Sequence, residues 1–102
     1  MSRREKIEKL LERQPQDAFL HFGLAMEFAK EGRVHDALAS FDRVIAIDPA
    51  YCAAYYHKGN TQRQAGLLDE CRATLTAGME AATRCNDLHT LSELRELLET
   101  VK

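Results

Sequence analysis

Proline and glycine are scarce in this chain of 102 residues, at two and five, and nowhere do apolar and polar residues alternate for the length of a strand. The expectation is an all-helical protein, because sheets need that alternation and more frequent turn residues. Long apolar runs are also missing. The longest aliphatic one, Val44-Ile45-Ala46-Ile47, is far short of the ~20 residues that a membrane-spanning helix requires. Ser2-Arg3-Arg4 has the look of a twin-arginine export signal, but Glu5-Lys6-Ile7-Glu8-Lys9 stands where an apolar stretch is required, so this segment reads as a solvated helix face. Charge of one sign is lacking too: 14 Lys and Arg face 16 Asp and Glu, for a net −2. Residues 1–14 carry +2, residues 15–86 carry −2 and residues 87–102 carry −2, so no segment is a polybasic or acidic tail. Nucleic acid and acidic membranes are therefore not expected partners.

Cysteine is limited to Cys52, Cys71 and Cys85, an odd number at spacings unlike a disulfide framework. Reduced thiols and a cytoplasmic location follow as expectations. Catalytic signatures are absent: there is no G-x-S-x-G, no phosphate loop and no dinucleotide glycine pattern. Cys85 and His89 have the i, i+4 spacing of two ligands on one helix face, with Cys52 and His57 as the nearest additional pair. Two ligands do not make a zinc site, and no C-x-x-C or H-E-x-x-H supports them. The expectation is a non-catalytic protein without metal or cofactor. At this length the chain is one soluble domain of residues 1–102, with a core of moderate extent, so its task belongs on a surface.

Apolar residues recur at helical spacing: Ile7, Leu10 and Leu11; then Leu20, Leu24 and Phe28; then Val34, Leu38, Phe41 and Ile45. Gln14-Pro15 and Asp48-Pro49 end helices, because the residue before proline is pushed out of the α region. Glu31-Gly32 and Ala65-Gly66 end others, where glycine takes the left-handed conformation without a Cβ clash. The breaks share one period: Pro15 to Pro49 is 34 residues, and so is Gly32 to Gly66. The same shift aligns Ile7 with Phe41 and Leu75, Leu11 with Ile45 and Met79, and Val34 with Leu68.

A 34-residue unit of helix, turn, helix, turn resembles the tetratricopeptide repeat (TPR) family, whose pattern is W-x2-L-G-x2-Y, then A-x3-F, then P. In residues 18–51 the matching positions are His21, Leu24, Ala25, Phe28, Ala37, Phe41, Val44 and Pro49. In residues 52–85 they are Tyr55, Lys58, Gly59, Gln62, Cys71, Leu75, Gly78 and, in place of the proline, Thr83. Residues 1–14 match the second helix of a repeat. Residues 87–101 read as a last helix with an apolar stripe of Leu88, Leu91, Leu94, Leu98 and Val101, Leu97 beside it, and Glu93, Glu96 and Glu99 facing away. Thr90 and Glu93 have capping-box spacing. The resemblance implies an all-α right-handed superhelix: a half repeat, two helix-turn-helix repeats and a C-terminal capping helix.

It also implies a protein-protein interaction module that holds a peptide segment or helix of a partner in the concave groove lined by the first helix of each repeat. Helical spacing nominates Phe19, Phe22, Gly23, Met26 and Lys30 in one repeat and Tyr56, His57, Asn60, Arg63 and Gln64 in the next. Phe22 and Met26, one turn apart, form an apolar patch with Phe19 nearby; the second set adds polar groups. A competing reading packs Phe19, Phe22 and Met26 into the core. Some family members hold the C-terminal carboxylate of chaperone tails with a clamp of Lys, Asn and Arg. The matching positions here, Phe19, Gly23, Ala53, His57, Asp87 and Leu91, offer no such clamp. A monomer or a weak homodimer is expected, with self-association through a seam of Leu91, Leu94, Leu98 and Val101 as the alternative function.

Overall fold

The computed structural model describes residues 1–102 and contains six α-helices and no strand. In chain order they are α1 (Arg3–Arg13), α2 (Ala18–Lys30), α3 (Val34–Ile47), α4 (Cys52–Gln64), α5 (Leu68–Arg84) and α6 (Leu88–Glu99). Each helix packs on its neighbour in sequence, and α4 also lies beside α2 and α6. The result is an all-α solenoid in which helices stack in pairs and each unit touches only the next. No helix is long and apolar enough to cross a membrane.

Three helix ends close in one way. Gly32, Gly66 and Asn86 have φ of 75°, 80° and 57°, the left-handed region that glycine and asparagine tolerate. In each case that residue and its successor donate backwards. Gly32 and Arg33 donate to Ala29 O and Phe28 O, Gly66 and Leu67 to Arg63 O and Gln62 O, and Asn86 and Asp87 to Thr83 O and Ala82 O. The paired bonds satisfy carbonyls that a helix end leaves open. The period also appears between helices: His21 Nε2 lies 2.8 Å from Pro15 O, and Tyr55 OH donates to Pro49 O at 3.1 Å.

The third unit departs from this pattern. Thr83 replaces proline, so α5 runs on to Arg84, and its hydroxyl donates to Met79 O at 2.8 Å within the helix. Helix α5 is therefore closed only at Asn86, and α6 begins 36 residues after α4, whereas α4 begins 34 after α2. Asp87, not Thr90, caps α6: its carboxylate accepts from Thr90 N at 3.1 Å, so the capping box expected of Thr90 and Glu93 does not form.

Two clusters form the core. Ala25, Phe28, Ala37, Phe41, Val44 and Ala54 fill the first; Cys52, Tyr55, Cys71, Leu75, Ala81, Ala82, Leu94, Leu97 and Val101 fill the second, and Ile45 packs against both. Leu94 is fully buried, Leu97 and Val101 nearly so, and Leu91 and Leu98 pack beside them, whereas Leu88 is 65% exposed. Of the seam Leu91, Leu94, Leu98 and Val101 offered as the alternative, Leu94 and Val101 thus belong to the chain's own core, and Leu91 and Leu98 are half-buried against it. Helix α1 buries no residue. It is held by Arg3–Glu27 and Arg4–Glu31 pairs at 2.7 and 2.9 Å and by Ile7, whose Cδ1 lies 3.4 Å from where a Cβ on Gly23 would stand.

Two glycines set the helix spacing around the second cluster. A Cβ on Gly59 would lie 2.5 Å from Leu75 Cδ2, and one on Gly78 would lie 2.6 Å from Tyr55 Cβ and 3.2 Å from Leu94 Cδ1. Tyr55 Cβ is fixed by its own backbone and cannot yield without moving α4. Overpacking of this kind costs about 1–3 kcal/mol, opposed by up to ~1 kcal/mol of alanine's better helix propensity. Gly78→Ala is accordingly expected to destabilise the fold by roughly 1–2 kcal/mol, seen as a lower urea midpoint at unchanged slope.

Candidate functional site

Helices α2, α4 and α6 stand side by side, and the residues that helical spacing assigns to their common face all lie on α2 and α4. Phe19 projects from α2 with 71% of its surface exposed, a large aromatic without cover. Phe22 has two roles. Its ring meets Phe41 at 6.0 Å, Tyr51 at 5.2 Å and His57 at 5.5 Å, so one edge belongs to the core while the half-buried remainder stays on the face. Met26 is also half-buried against the first cluster. Gly23 turns towards Ile7 of α1 and contributes nothing to the apolar patch.

On α4, Tyr56 and His57 meet edge to face at 5.3 Å, which carries the aromatic track from α2 across to the α6 side. Asn60 Oδ1 accepts from Arg63 Nε and Nη2 at 3.2 and 2.8 Å, fixing that guanidinium along its own helix. Lys30 is tethered to Glu27 at 3.5 Å, and Gln64 is exposed at the end of α4. Across from Tyr56, the side chains of Glu93, Glu96, Leu97 and Thr100 complete a cleft of about 240 Å³ between α4 and α6.

Reasoning from sequence missed Tyr51 and this α6 wall. Carrying the 34-residue period forward pairs Ala53 and His57 with Asp87 and Leu91. The later start of α6 pairs them instead with His89 and Glu93, since Asp87 caps the helix and Leu91 faces the core. The proline missing at Thr83 was the signal that could have found it. A larger depression of about 580 Å³ lies on α1, lined by Met1, Lys6, Lys9, Leu10, Glu12 and Arg13, and does not adjoin this face.

The Cys and His candidates do not gather. No group of three or more His, Cys, Asp or Glu is close enough to hold a metal ion. Cys52 donates to Ala50 O at 3.4 Å, and burial, with a smaller contribution from the neighbouring Cys85, pushes its thiol up.

Burial pulls the His57 imidazole below its ordinary value, against the weaker opposing field of Glu93. A histidine held neutral by the fold takes up its proton more readily when the chain unfolds, so the stability it contributes is present above the ordinary value of about 6.5 and is lost as pH falls through its folded value. Urea midpoints are expected to fall between pH 7.5 and 5.5, and His57→Gln to flatten that part of the profile.

The tetratricopeptide repeat family matches residues 28–94. A TPR repeat-containing protein of Pseudomonas aeruginosa is 28% identical over 94 residues, 92% of this chain and 90% of its own length. The solution structure of a tetratricopeptide repeat domain protein from Salinibacter ruber superposes with a TM-score of 0.80 at 31% identity, over 86% of this chain and 89% of that one. The TPR2B domain of yeast Sti1, solved as a complex with pHsp70, superposes with a TM-score of 0.89 over 96% of this chain and 78% of that one; at 22% identity this is a likeness of fold. The match across most of the chain, with its paired helices and 34-residue closures, makes this protein a member of the tetratricopeptide repeat family.

Proposed function

We propose that the chain is a non-catalytic interaction module that holds an extended segment or short helix of a partner protein on the face of α2 and α4. The observation that carries this reading is the exposed Phe19 beside the half-buried Phe22 and Met26, with Tyr56 and His57 at its border. Recognition sites combine an apolar floor with a few placed polar groups in this way. The occupant is protein rather than nucleic acid, because the face offers no basic track for a phosphate backbone. Burial of the α6 leucines favours a monomer as the working form, and three free cysteines suit the reducing cytoplasm. Two repeats make a short groove, so affinity alone is on the order of micromolar.

Phe19 and Phe22 separate binding from folding. Phe19→Glu places a charge where the side chain is already in water, so the circular dichroism spectrum and urea midpoint should stay close to wild type. Proteins that immobilised wild type retains from lysate, identified by mass spectrometry, should be lost. Phe22→Glu should cost about 1–3 kcal/mol of stability as well, because it removes apolar contacts with Phe41 and Tyr51 and desolvates a carboxylate. Equal retention by wild type and Phe19→Glu would overturn the assignment of this face.

A further inference from the structure

The α6 side of the face carries a chemistry that narrows the partner. Glu93 and Glu96 border the 240 Å³ cleft together with Tyr56, Leu97 and Thr100. Glu96 forms no ion pair, and Glu93 has only His89, at 3.7 Å and charged only if protonated. Of the cations on the same face, Lys30 shares Glu27 with Arg3, and Arg63 is held by the neutral Asn60 and keeps its charge. The negative charge is local to the α6 end, where Glu93 and Glu96 line the cleft with no Lys or Arg beside them, while the free apolar surface, Phe19 with Phe22 and Met26, lies at the other end. Contacts of Phe22 with His57 and of His57 with Tyr56 join the two ends without a break.

From this arrangement, and resting on the binding face assigned above, we infer that the occupant is a peptide segment of mixed apolar and basic character. A bulky apolar residue lies on Phe19, Phe22 and Met26, and a lysine or arginine enters the cleft between Tyr56 and the carboxylates of Glu93 and Glu96. The cleft suits such a side chain at both ends. Tyr56 and the largely buried Leu97 offer apolar walls to an alkyl stem, and the tyrosine ring face and two carboxylates receive the cationic head. Packed helices stand about 8–10 Å apart, so the span from α2 to α6 is on the order of 18 Å. An extended chain covers that distance in about five or six residues. The two anchors thus stand about that far apart in the partner's sequence. An acidic C-terminal tail would meet Glu93 and Glu96 with like charge and is rejected.

The test uses the full chain and a displayed library of random 12-residue peptides, selected on immobilised wild type. Selected sequences are then measured by fluorescence anisotropy at low and high salt. Enrichment of an apolar residue and a Lys or Arg about five or six positions apart is expected. Replacing that cation by Ala, or the protein by the Glu93→Gln, Glu96→Gln double variant, should weaken binding about 5- to 10-fold, and added salt should act in the same direction. Both glutamates are exposed, so circular dichroism of the double variant should be unchanged. If peptides bind and are lost on Phe19→Glu, yet show no basic preference or keep full affinity for the double variant, the inference falls and the binding face stands. If no peptide binds, or if binding survives Phe19→Glu, both fall together.

Discussion

Helices α4 and α5 approach closely at Gly59 and Gly78, where a methyl group on either would press into Leu75 or into Tyr55 and Leu94. Close approach there lets Leu75 and Leu94 be fully enclosed, and it fixes Tyr55 so that its hydroxyl reaches Pro49 O. Tyr56 and His57 follow Tyr55 on the same helix. Their placement opposite α2 and α6 is thus set from behind, by how near α5 stands to α4. A rigid scaffold under a binding face lowers the ordering cost of association.

The two ends of the solenoid are secured differently. Helix α6 is sealed by apolar packing, and Arg72 donates to Val101 O at 2.7 Å to hold the chain just past its end. Helix α1 relies on polar contacts. The Arg4 and Arg33 guanidinium carbons lie 5.6 and 4.7 Å from the Phe28 ring centre, and both side chains also approach Glu31. A cation over a ring adds modest stabilisation at exposed sites, and exposed ion pairs contribute little. In an array where each unit is supported only by its neighbours, α1, which buries no residue, is therefore the helix with the least apolar support.

Much of the fold was legible because its determinants are local. Gly32 and Gly66 announce their helix ends through the one conformation that glycine takes freely, and Pro49 announces another through its ring. The face was legible in part. Spacing put Phe19, Phe22 and Met26 on one side of α2, but a helix packed on both flanks gives such residues two neighbours, and periodicity does not divide them. Phe22 serves core and face together, and Phe19 the face alone. Gly23 looked like a groove residue by the same spacing and instead makes room for Ile7.

The acidic wall shows where local reasoning stops. Glu93 and Glu96 are plainly on the polar side of α6 in the sequence, yet which residues of α4 they face depends on the length of α5. Without a proline at Thr83, α5 gains most of a turn, and α6 starts two residues late against the period. The helices, their closures and the 34-residue repeat could be read from the chain of residues, since these rest on backbone preferences and on contacts within a few residues. Which side chains stand across each seam was settled by packing in three dimensions. That outcome depends on register summed over whole helices and on close approaches between residues distant in the chain.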